Sequence, residues 1–366
     1  MSLSIGIVGL PNVGKSTVFN ALTGAQNATV ANYPFCTIEA NRAIVPLRDA
    51  RLEQLQSLVG VPNIIYATIE FVDIAGLVKG ASQGEGLGNK FLSNIRDTDA
   101  IVHVVRGFDD PNIVHISGKI DPHADIEIIN IELALTDMAQ LDRKIDKLQS
   151  EIKGDRKLIP TYELAKSLRE HLALGNPVSS HPQKDNTIFS ELSREMRFLT
   201  AKPVIFAVNV DEAGLADETS EVAAVRQVAQ ENGASVVLLC AKLEEEMLDM
   251  TPEEQQEFLA LAGAAESGLQ QVVRQGFQAL SLITYFTKNE KEVRAWNIPK
   301  GTLAPQAAGK IHTDFERGFI RAEVVPFDVF EAYGSDQAVR TAGLMRSEGK
   351  SYVVQDGDVI LFRFNV

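Results

Sequence analysis

The segment 9–17, GLPNVGKST, constrains this chain more than any other feature. It matches the phosphate-binding pattern G-x-x-x-x-G-K-[ST] at every fixed position. The apolar run 3–8 leads into it and is typical of a buried parallel strand, and residues 18–22 predict a helix after it. We therefore predict a P-loop. The glycines of such a loop let successive backbone N–H groups turn toward phosphate oxygens.

The chemistry of this loop predicts the roles of two side chains. Lys15 is expected to reach the β- and γ-phosphates of a nucleotide, and the Ser16 hydroxyl to ligate Mg²⁺. The N-terminus of the following helix adds a partial positive charge at the same place.

Four further apolar runs are typical of buried strands, and helical stretches fall between several of them. These runs are residues 69–73, 100–105, 203–208 and 235–239. Strands that alternate with helices predict an α/β domain with a doubly wound sheet.

This alternation stops between residues 131 and 199. Apolar residues recur there at steps of three or four, which predicts helices. The first stripe consists of Ile131, Leu135, Met138, Leu141, Ile145, Leu148 and Ile152, and two shorter stripes follow, Leu164 to Leu172 and Ile188 to Leu199. We predict a helical, coiled-coil hairpin inserted into the α/β domain. Its stripe serves either as a packed core or as an arm that binds a partner.

The pattern of apolar and polar residues changes again at about residue 281. Short strands are predicted at 292–296 and 319–325, and a β-hairpin at 351–364 around the turn Asp356-Gly357-Asp358. The predicted domains are residues 1–130 with 200–280, the insertion 131–199, and a small α+β domain 281–366.

The charge is distributed unevenly. Lys and Arg number 35 against 49 Asp and Glu, a net charge of −14, which argues against a protein that is basic throughout and coats nucleic acid. Segments 131–199 and 281–366 each contain 11 basic and 11 acidic residues, so the excess of acid lies elsewhere. A surface for a polyanion is therefore expected in these two segments.

Cysteine content and hydropathy indicate the compartment. Cys36 and Cys240 are the only cysteines, too few for a disulfide framework or a zinc site, and they suit a reducing environment. Neither a signal peptide nor an apolar stretch of about 18 residues is apparent. We predict a cytoplasmic protein.

Two segments have the pattern of nucleotide-dependent switches. Asp73 and Gly76 form a D-x-x-G element at a strand end, where Asp73 can hold the Mg²⁺ shell and the Gly76 N–H can contact the γ-phosphate. Thr37 can close over Mg²⁺ when a triphosphate is bound. Leu77 occupies the position at which related switches carry a glutamine that orients water. His115 is a candidate replacement for that group, although a lone histidine is more often structural.

The segment 209–212, Asn-Val-Asp-Glu, follows a strand at the position where GTPases have N-K-x-D. Val210 replaces the lysine, and Glu212 replaces the aspartate that pairs with guanine. Because glutamate is one methylene longer, the bidentate fit to guanine should be lost, at a cost of about 1–3 kcal/mol. Adenine could be accepted through backbone groups near Val210. Cys240 and Ala241 fall where GTPases place a second loop that contacts the base.

These motifs together resemble the YchF / Obg-like ATPase family over the whole chain. The resemblance rests on residues 9–17, 32–37, 73–81 and 209–212, and residues 304–316 are similar to its TGS domain. It implies a P-loop NTPase of the translation-factor class that prefers ATP to GTP. It also implies a coiled-coil insertion in the nucleotide-binding domain and a ubiquitin-like TGS domain of β-grasp type at the C-terminus.

The resemblance also implies site residues and partners. In the family, residues 12–17 match the phosphate site, so Asn12, Val13, Gly14, Lys15, Ser16 and Thr17 are expected there. Ser16 and Thr37 match the Mg²⁺ positions and Val210 an ATP contact, and a catalytic histidine falls in the loop that contains His115. The implied partner is the ribosome, with nucleic-acid contacts through the coiled-coil and TGS regions.

Three functions stay open from the sequence. The first is a regulatory ATPase, slow in hydrolysis, whose nucleotide state controls binding to the ribosome or another RNA–protein complex. The second is an ATP sensor that does not hydrolyse, which Leu77 favours. The third is a P-loop kinase for a small substrate, which the Thr37 and D-x-x-G switches argue against.

Overall fold

The computed structural model describes residues 3–29, 41–74, 87–113 and 120–365. The strands within them are β1 (Ser4–Val8), β2 (Arg42–Leu47), β3 (Asn63–Ile65), β4 (Ala67–Asp73), β5 (Ala100–Arg106), β6 (Val204–Asn209), β7 (Ser235–Leu239), β8 (Leu282–Lys288), β9 (Glu292–Pro299), β10 (Phe319–Pro326), β11 (Arg346–Glu348) and β12 (Asp358–Phe364). In this part of the chain they form two six-stranded sheets, in the orders β2-β4-β1-β5-β6-β7 and β11-β10-β12-β8-β9-β3.

The described residues also form fifteen α-helices. They are α1 (Lys15–Thr29), α2 (Ala50–Val59), α3 (Leu87–Arg96), α4 (Pro122–Glu151), α5 (Ile159–Ala173), α6 (Thr187–Met196), α7 (Glu212–Ala216), α8 (Ser220–Asn232), α9 (Ala241–Glu246), α10 (Pro252–Leu261), α11 (Gly268–Ala279), α12 (Ala304–Ile311), α13 (Thr313–Arg317), α14 (Phe327–Tyr333) and α15 (Asp336–Thr341). None of the described helices combines the length and apolar character that a membrane span requires.

The first sheet is the predicted doubly wound sheet. Its strands are parallel except for β2, which pairs antiparallel with β4. Both faces are covered: on β6, Phe206 and Val208 pack with Val222 of α8, while Ile205 packs on the opposite face in the cluster that contains Val272 of α11. Burial on both faces explains why these strands read as continuous apolar runs rather than alternating ones. The carboxyl ends of β1, β4, β5, β6 and β7 meet at one edge.

The predicted insertion is helical, but its first stripe has the wrong members. α4, α5 and α6 share a core that contains Leu141, Leu148, Leu168, Phe189 and Leu192. In contrast, Ile131 and Leu135 are 52% and 42% exposed. The first half of α4 instead turns Ile129 and Leu133 toward the first sheet. One helix therefore packs against two different partners, and a single straight stripe does not describe it.

The C-terminal sheet is mixed, with β12 parallel to β8 and antiparallel to β10. The predicted hairpin over 351–364 is wrong in its first arm. Residues 351–354 form only an isolated bridge, between Val353 and Leu303, and β12 takes its partners from β10 and β8. The turn at 356–357 is present, but the chain before it pairs elsewhere. The ubiquitin-like β-grasp assignment stays a prediction.

The segment between β2 and β4 joins the two sheets. Although it lies within residues 1–130, β3 pairs in parallel with β9 of the second sheet. Leu52 and Leu55 of α2 pack with Phe286 and Val325. Arg51 donates from Nη1 to Asp356 Oδ2, 2.6 Å away. Because a single residue separates β3 from β4, the strand that ends at Asp73 starts directly beside the C-terminal sheet.

Candidate nucleotide site

The loop 9–14 connects the end of β1 to the first residue of α1. Gly14 has φ +97° in the left-handed half of φ space, and a Cβ atom there would lie 2.2 Å from Asn209 Nδ2. Only glycine fits that position. Asn12 also has a positive φ, of 63°. The loop therefore delivers the N-terminus of α1, with its unpaired N–H groups, to the sheet edge.

Lys15 is nearly buried beneath this loop, with 8% of its surface exposed. Its Nζ donates to the carbonyl oxygen of Leu10 at 2.6 Å. Burial lowers the pKa of Lys15 to about 8, and the nearby carboxylate of Asp73 opposes that shift. Burial in turn raises the pKa of Asp73, against the influence of Lys15. The loop thus holds a poorly solvated cation, which a phosphate would stabilise.

Asn209, at the end of β6, ties the loop to the other side of the site. Its Nδ2 donates to the Val13 carbonyl oxygen and its Oδ1 accepts from the Ala241 N–H, both at 3.0 Å. The side chain is 6% exposed, so both bonds form away from water. The amide therefore fixes the distance between the phosphate loop and the start of α9.

These elements enclose a cavity of about 750 Å³. Its walls consist of Asn12, Gly14, Lys15, Ser16, Thr17, Phe108, Asp109, Asp110, Ile113, Asn209, Val210, Asp211, Glu212, Ala213, Cys240, Ala241 and Lys242. The volume lies in the range typical of small-molecule sites.

The carboxylates at the far end of the cavity already have partners. Asp211 is the N-cap of α7 and accepts from the Gly214 N–H through Oδ1 at 2.8 Å. Glu212 is the first residue of that helix, and its Oε1 lies 3.6 Å from Lys242 Nζ at the exposed rim. Burial raises the pKa of the Cys240 thiol, which lines the same end.

Arg106, which the sequence analysis did not identify, organises the third wall. It is 1% exposed and donates to three carbonyl oxygens, from Nε to Phe108 at 3.1 Å, from Nη1 to Ile113 at 3.0 Å and from Nη2 to Asp110 at 3.3 Å. A buried guanidinium therefore shapes loop 107–113. The sequence contains the signal, an arginine that ends the apolar run 100–105 at the carboxyl edge of the sheet.

The structure brings most of the sequence-predicted site residues together. Asn12, Gly14, Lys15, Ser16, Thr17, Asn209, Val210, Glu212, Cys240 and Ala241 all line the cavity. The side chain of Val13 does not, because it is buried in the core of the first sheet. Thr37, Gly76 and His115 lie outside the described residues.

Two oxygen groups beside Lys15 could hold a divalent cation at the phosphate loop. Ser16 lines the cavity next to Lys15 in the chain, and Asp73 ends β4, close enough to Lys15 for the two charges to interact. Among the described residues, no group of three or more His, Cys, Asp or Glu side chains has the arrangement of a metal site. A cation here would take its remaining ligands from phosphate and water, as Mg²⁺ does in phosphate-binding sites.

Two family models match the chain. Residues 4–153 match MMR_HSR1, described as a 50S ribosome-binding GTPase. Residues 282–365 match YchF-GTPase_C, described as a protein of unknown function (DUF933).

Full-length relatives match as well. The Ribosome-binding ATPase YchF of Escherichia coli O157:H7 is 48% identical over 370 residues, and that of Bacillus subtilis is 49% identical over 369 residues. Each alignment covers 100% of both chains. The solved structure of the Schizosaccharomyces pombe YchF GTPase superposes with a TM-score of 0.88 at 35% identity, covering 99% of this chain and 98% of that one. The identity and full coverage in both directions show that this chain belongs to the YchF family.

Proposed function

We propose that this chain binds and slowly hydrolyses ATP, and that its nucleotide state controls its association with the ribosome. Support comes from a preformed cavity behind a complete P-loop and from full-length relatives named ribosome-binding ATPases. A ribosomal partner fits the cytoplasmic location expected from the sequence. We assign nucleotide binding to residues 1–130 with 200–280, which leaves 131–199 and 281–366 for contacts with the partner.

The preference for ATP rests on two carboxylates, Asp211 and Glu212, which lie at the end of the cavity that would hold the nucleotide base. We call it the base end. Asp211 is committed to capping α7, and Glu212 lies at the rim, 62% exposed and paired with Lys242. Neither is arranged as a free, buried carboxylate, which guanine recognition would need for its N1–H and 2-amino groups. Adenine requires no carboxylate, because a backbone N–H and C=O satisfy its N1 and amino group.

The opposite end of the cavity, formed by the P-loop and α1, supports the roles proposed for Lys15 and for the N-terminus of α1. Lys15 is already desolvated, so its charge acts on phosphate oxygens at low local dielectric. The N–H groups of the first turn of α1 point to the same place. Together they would hold the triphosphate and offset the repulsion that builds up as the γ-phosphate is attacked.

Mg²⁺ is the cofactor that we propose for this site. Ser16, Thr37 and Asp73 are the residues that would hold it, the last through water. When bound, the ion supplies charge neutralisation at the β- and γ-phosphates. We propose that the Gly76 N–H donates to the γ-phosphate. We propose His115 as the group that positions the attacking water, because the side chain of Leu77 cannot form hydrogen bonds.

The proposal is tested by the affinities of ATP and GTP, measured by calorimetry on nucleotide-free protein. We expect tighter binding of ATP, and improved GTP binding in the double variant Val210→Lys with Glu212→Asp. A matched control is Val236→Lys with Glu231→Asp, which changes the same residue types outside the cavity. Wild-type protein that binds GTP tenfold more tightly than ATP would refute the assignment of the nucleotide. ATP binding without any turnover, alone or with ribosomes, would favour the sensor instead.

A further inference from the structure

Glu323 lies at the centre of three arginines that come from three different elements. Arg321 of β10 donates from Nη2 to Glu323 Oε1 at 3.0 Å, and Arg340 of α15 donates from Nη2 to Oε2 at 3.0 Å. Arg363 of β12 binds both oxygens, from Nε to Oε1 at 3.3 Å and from Nη2 to Oε2 at 3.2 Å. We call these four residues the arginine cluster. One carboxylate thus orients three guanidinium groups.

The glutamate is buried and the arginines are not. The side chain of Glu323 is 10% exposed, whereas those of Arg321, Arg340 and Arg363 are 52%, 53% and 47% exposed. The three hydrogen-bonded arginines hold the pKa of Glu323 below its usual value, so the carboxylate stays charged. Within the described residues, Glu323 is the one acidic side chain that forms an ion pair with any of the three. The cluster therefore has a net charge of +2.

The register of the sheet explains why this charge faces outward. Val325 pairs with Val359, and both lie in the core under α2 and α14. Side chains on one face recur at every second residue, so Glu323 opposite Leu361 and Arg321 opposite Arg363 follow on that same face. Leu361 there is 43% exposed. The two helices cover one end of the face, and the arginine cluster occupies the other.

The hydrogen-bond inventory shows what the cluster offers to a ligand. Each guanidinium has five N–H donors, of which Glu323 takes one or two, and Arg340 also donates from Nε to Met345 Sδ at 3.2 Å. The remaining donors are planar, permanently charged and already held in place, so less side-chain entropy is lost when they bind. Bidentate recognition of a phosphate by arginine needs these properties.

We propose that the arginine cluster of the C-terminal sheet is an RNA-binding surface that contacts the phosphodiester backbone. The inference rests on the proposed function, in which the partner is the ribosome. Charge complementarity selects a polyanion: the chain has a net charge of −14, yet its C-terminal segment 281–366 is neutral and presents these three guanidinium groups together. Because the contacts are to phosphates, binding should depend little on base sequence.

The test uses the full chain with Arg321→Gln and Arg340→Gln, which leaves Arg363 to balance Glu323. A matched control carries Arg226→Gln and Arg274→Gln. These two arginines are also about half exposed, and each has one glutamate partner, at 3.0 and 2.8 Å. Both proteins lose two positive charges. Binding to purified 70S ribosomes is measured by sedimentation, and binding to ribosomal RNA freed of protein by filter retention at several salt concentrations.

We expect the cluster variant to lose about tenfold in RNA affinity, and its slope of log affinity against log salt to fall by about 1.4–1.8, while the control changes little. ATP turnover without ribosomes should equal that of wild type. If the double variant does not fold, Arg340→Gln alone should still lower affinity about threefold, because it removes one phosphate contact.

Equal losses in the cluster and control variants would overturn the proposal, since overall charge would then explain them. If the cluster variant binds ribosomes as tightly as wild type does, the arginine surface would be overturned and the proposed function would stay intact. Loss of ribosome binding without any binding of wild type to free RNA would assign the surface to an acidic protein instead. Wild type that binds ribosomes in no nucleotide state would refute the proposed function itself.

Discussion

Asn209 donates a hydrogen bond from Nδ2 to the carbonyl oxygen of Val13, 3.0 Å away, although 196 residues separate the two in sequence. The same amide accepts from the Ala241 N–H at 3.0 Å. One side chain therefore holds the phosphate loop and the base end of the cavity in a fixed relation. A nucleotide spans these two ends, so its affinity depends on this relation as well as on direct contacts.

Asn209→Asp should weaken ATP binding about tenfold, since a buried unpaired group costs about 1–3 kcal/mol. The substitution keeps the shape and the acceptor toward Ala241 but sets a carboxylate oxygen against the Val13 carbonyl. Asn232→Asp is the control, because that amide donates to Val228 at 2.8 Å, away from the cavity. Calorimetric affinities that match in the two variants would contradict this role of Asn209.

Lys15→Ala should abolish ATP hydrolysis, because the charge that offsets phosphate repulsion is removed. Phosphate release at more than about a tenth of the wild-type rate would be inconsistent with this role. Such a small loss would be less than the several kcal/mol of transition-state stabilisation expected from the charge.

The affinity of wild type for ATP should fall about tenfold between pH 7 and pH 9. The pKa of Lys15 is lowered to about 8, so the unliganded protein loses this proton as the pH rises through 8, and phosphate binding must restore it. Lys15→Ala should lack this step in calorimetric titrations at the two pH values. A wild-type affinity that is flat over this range would contradict the depressed pKa.

Arg106→Met should lower ATP affinity about tenfold and the free energy of unfolding by about 2–5 kcal/mol, because three carbonyl oxygens lose a charged donor. Arg226→Met removes a half-exposed arginine with one ion pair and serves as the control. Denaturant unfolding and calorimetry measure the two effects separately. An Arg106→Met protein that is less stable yet binds ATP normally would make this residue structural only.

Intrinsic ATP turnover should lie far below the roughly 10 s⁻¹ of a typical enzyme, because Leu77 cannot position water. Ribosomes should accelerate it. His115→Ala should lower the rate and leave ATP affinity nearly unchanged, because the group acts in the transition state. His123→Ala, at an exposed histidine of α4, is the matched control in the same phosphate-release assay. Turnover that is unchanged in His115→Ala with ribosomes present would return that histidine to a structural role.

The sequence by itself determined the features that depend on neighbours along the chain. Residues 3–22 specify a strand, a loop and a helix, because an apolar run, the P-loop pattern of residues 9–17 and a helical stretch follow one another directly. The buried strands were equally readable, since burial on both faces requires a continuous apolar run. Residues 131–199 read as helical for a similar local reason, the recurrence of apolar side chains every three or four positions.

Tertiary structure alone decided what depends on distant partners. Ile131 and Leu135 fit a helical stripe, yet they are exposed because the first half of α4 packs against a sheet and the second half against other helices. Val353 pairs with Leu303 instead of forming a hairpin, because β12 finds both of its partners elsewhere. The arginine cluster was equally hidden. The role of Glu323 depends on arginines of two strands and one helix that folding brings within about 3 Å, and no local pattern encodes that distance.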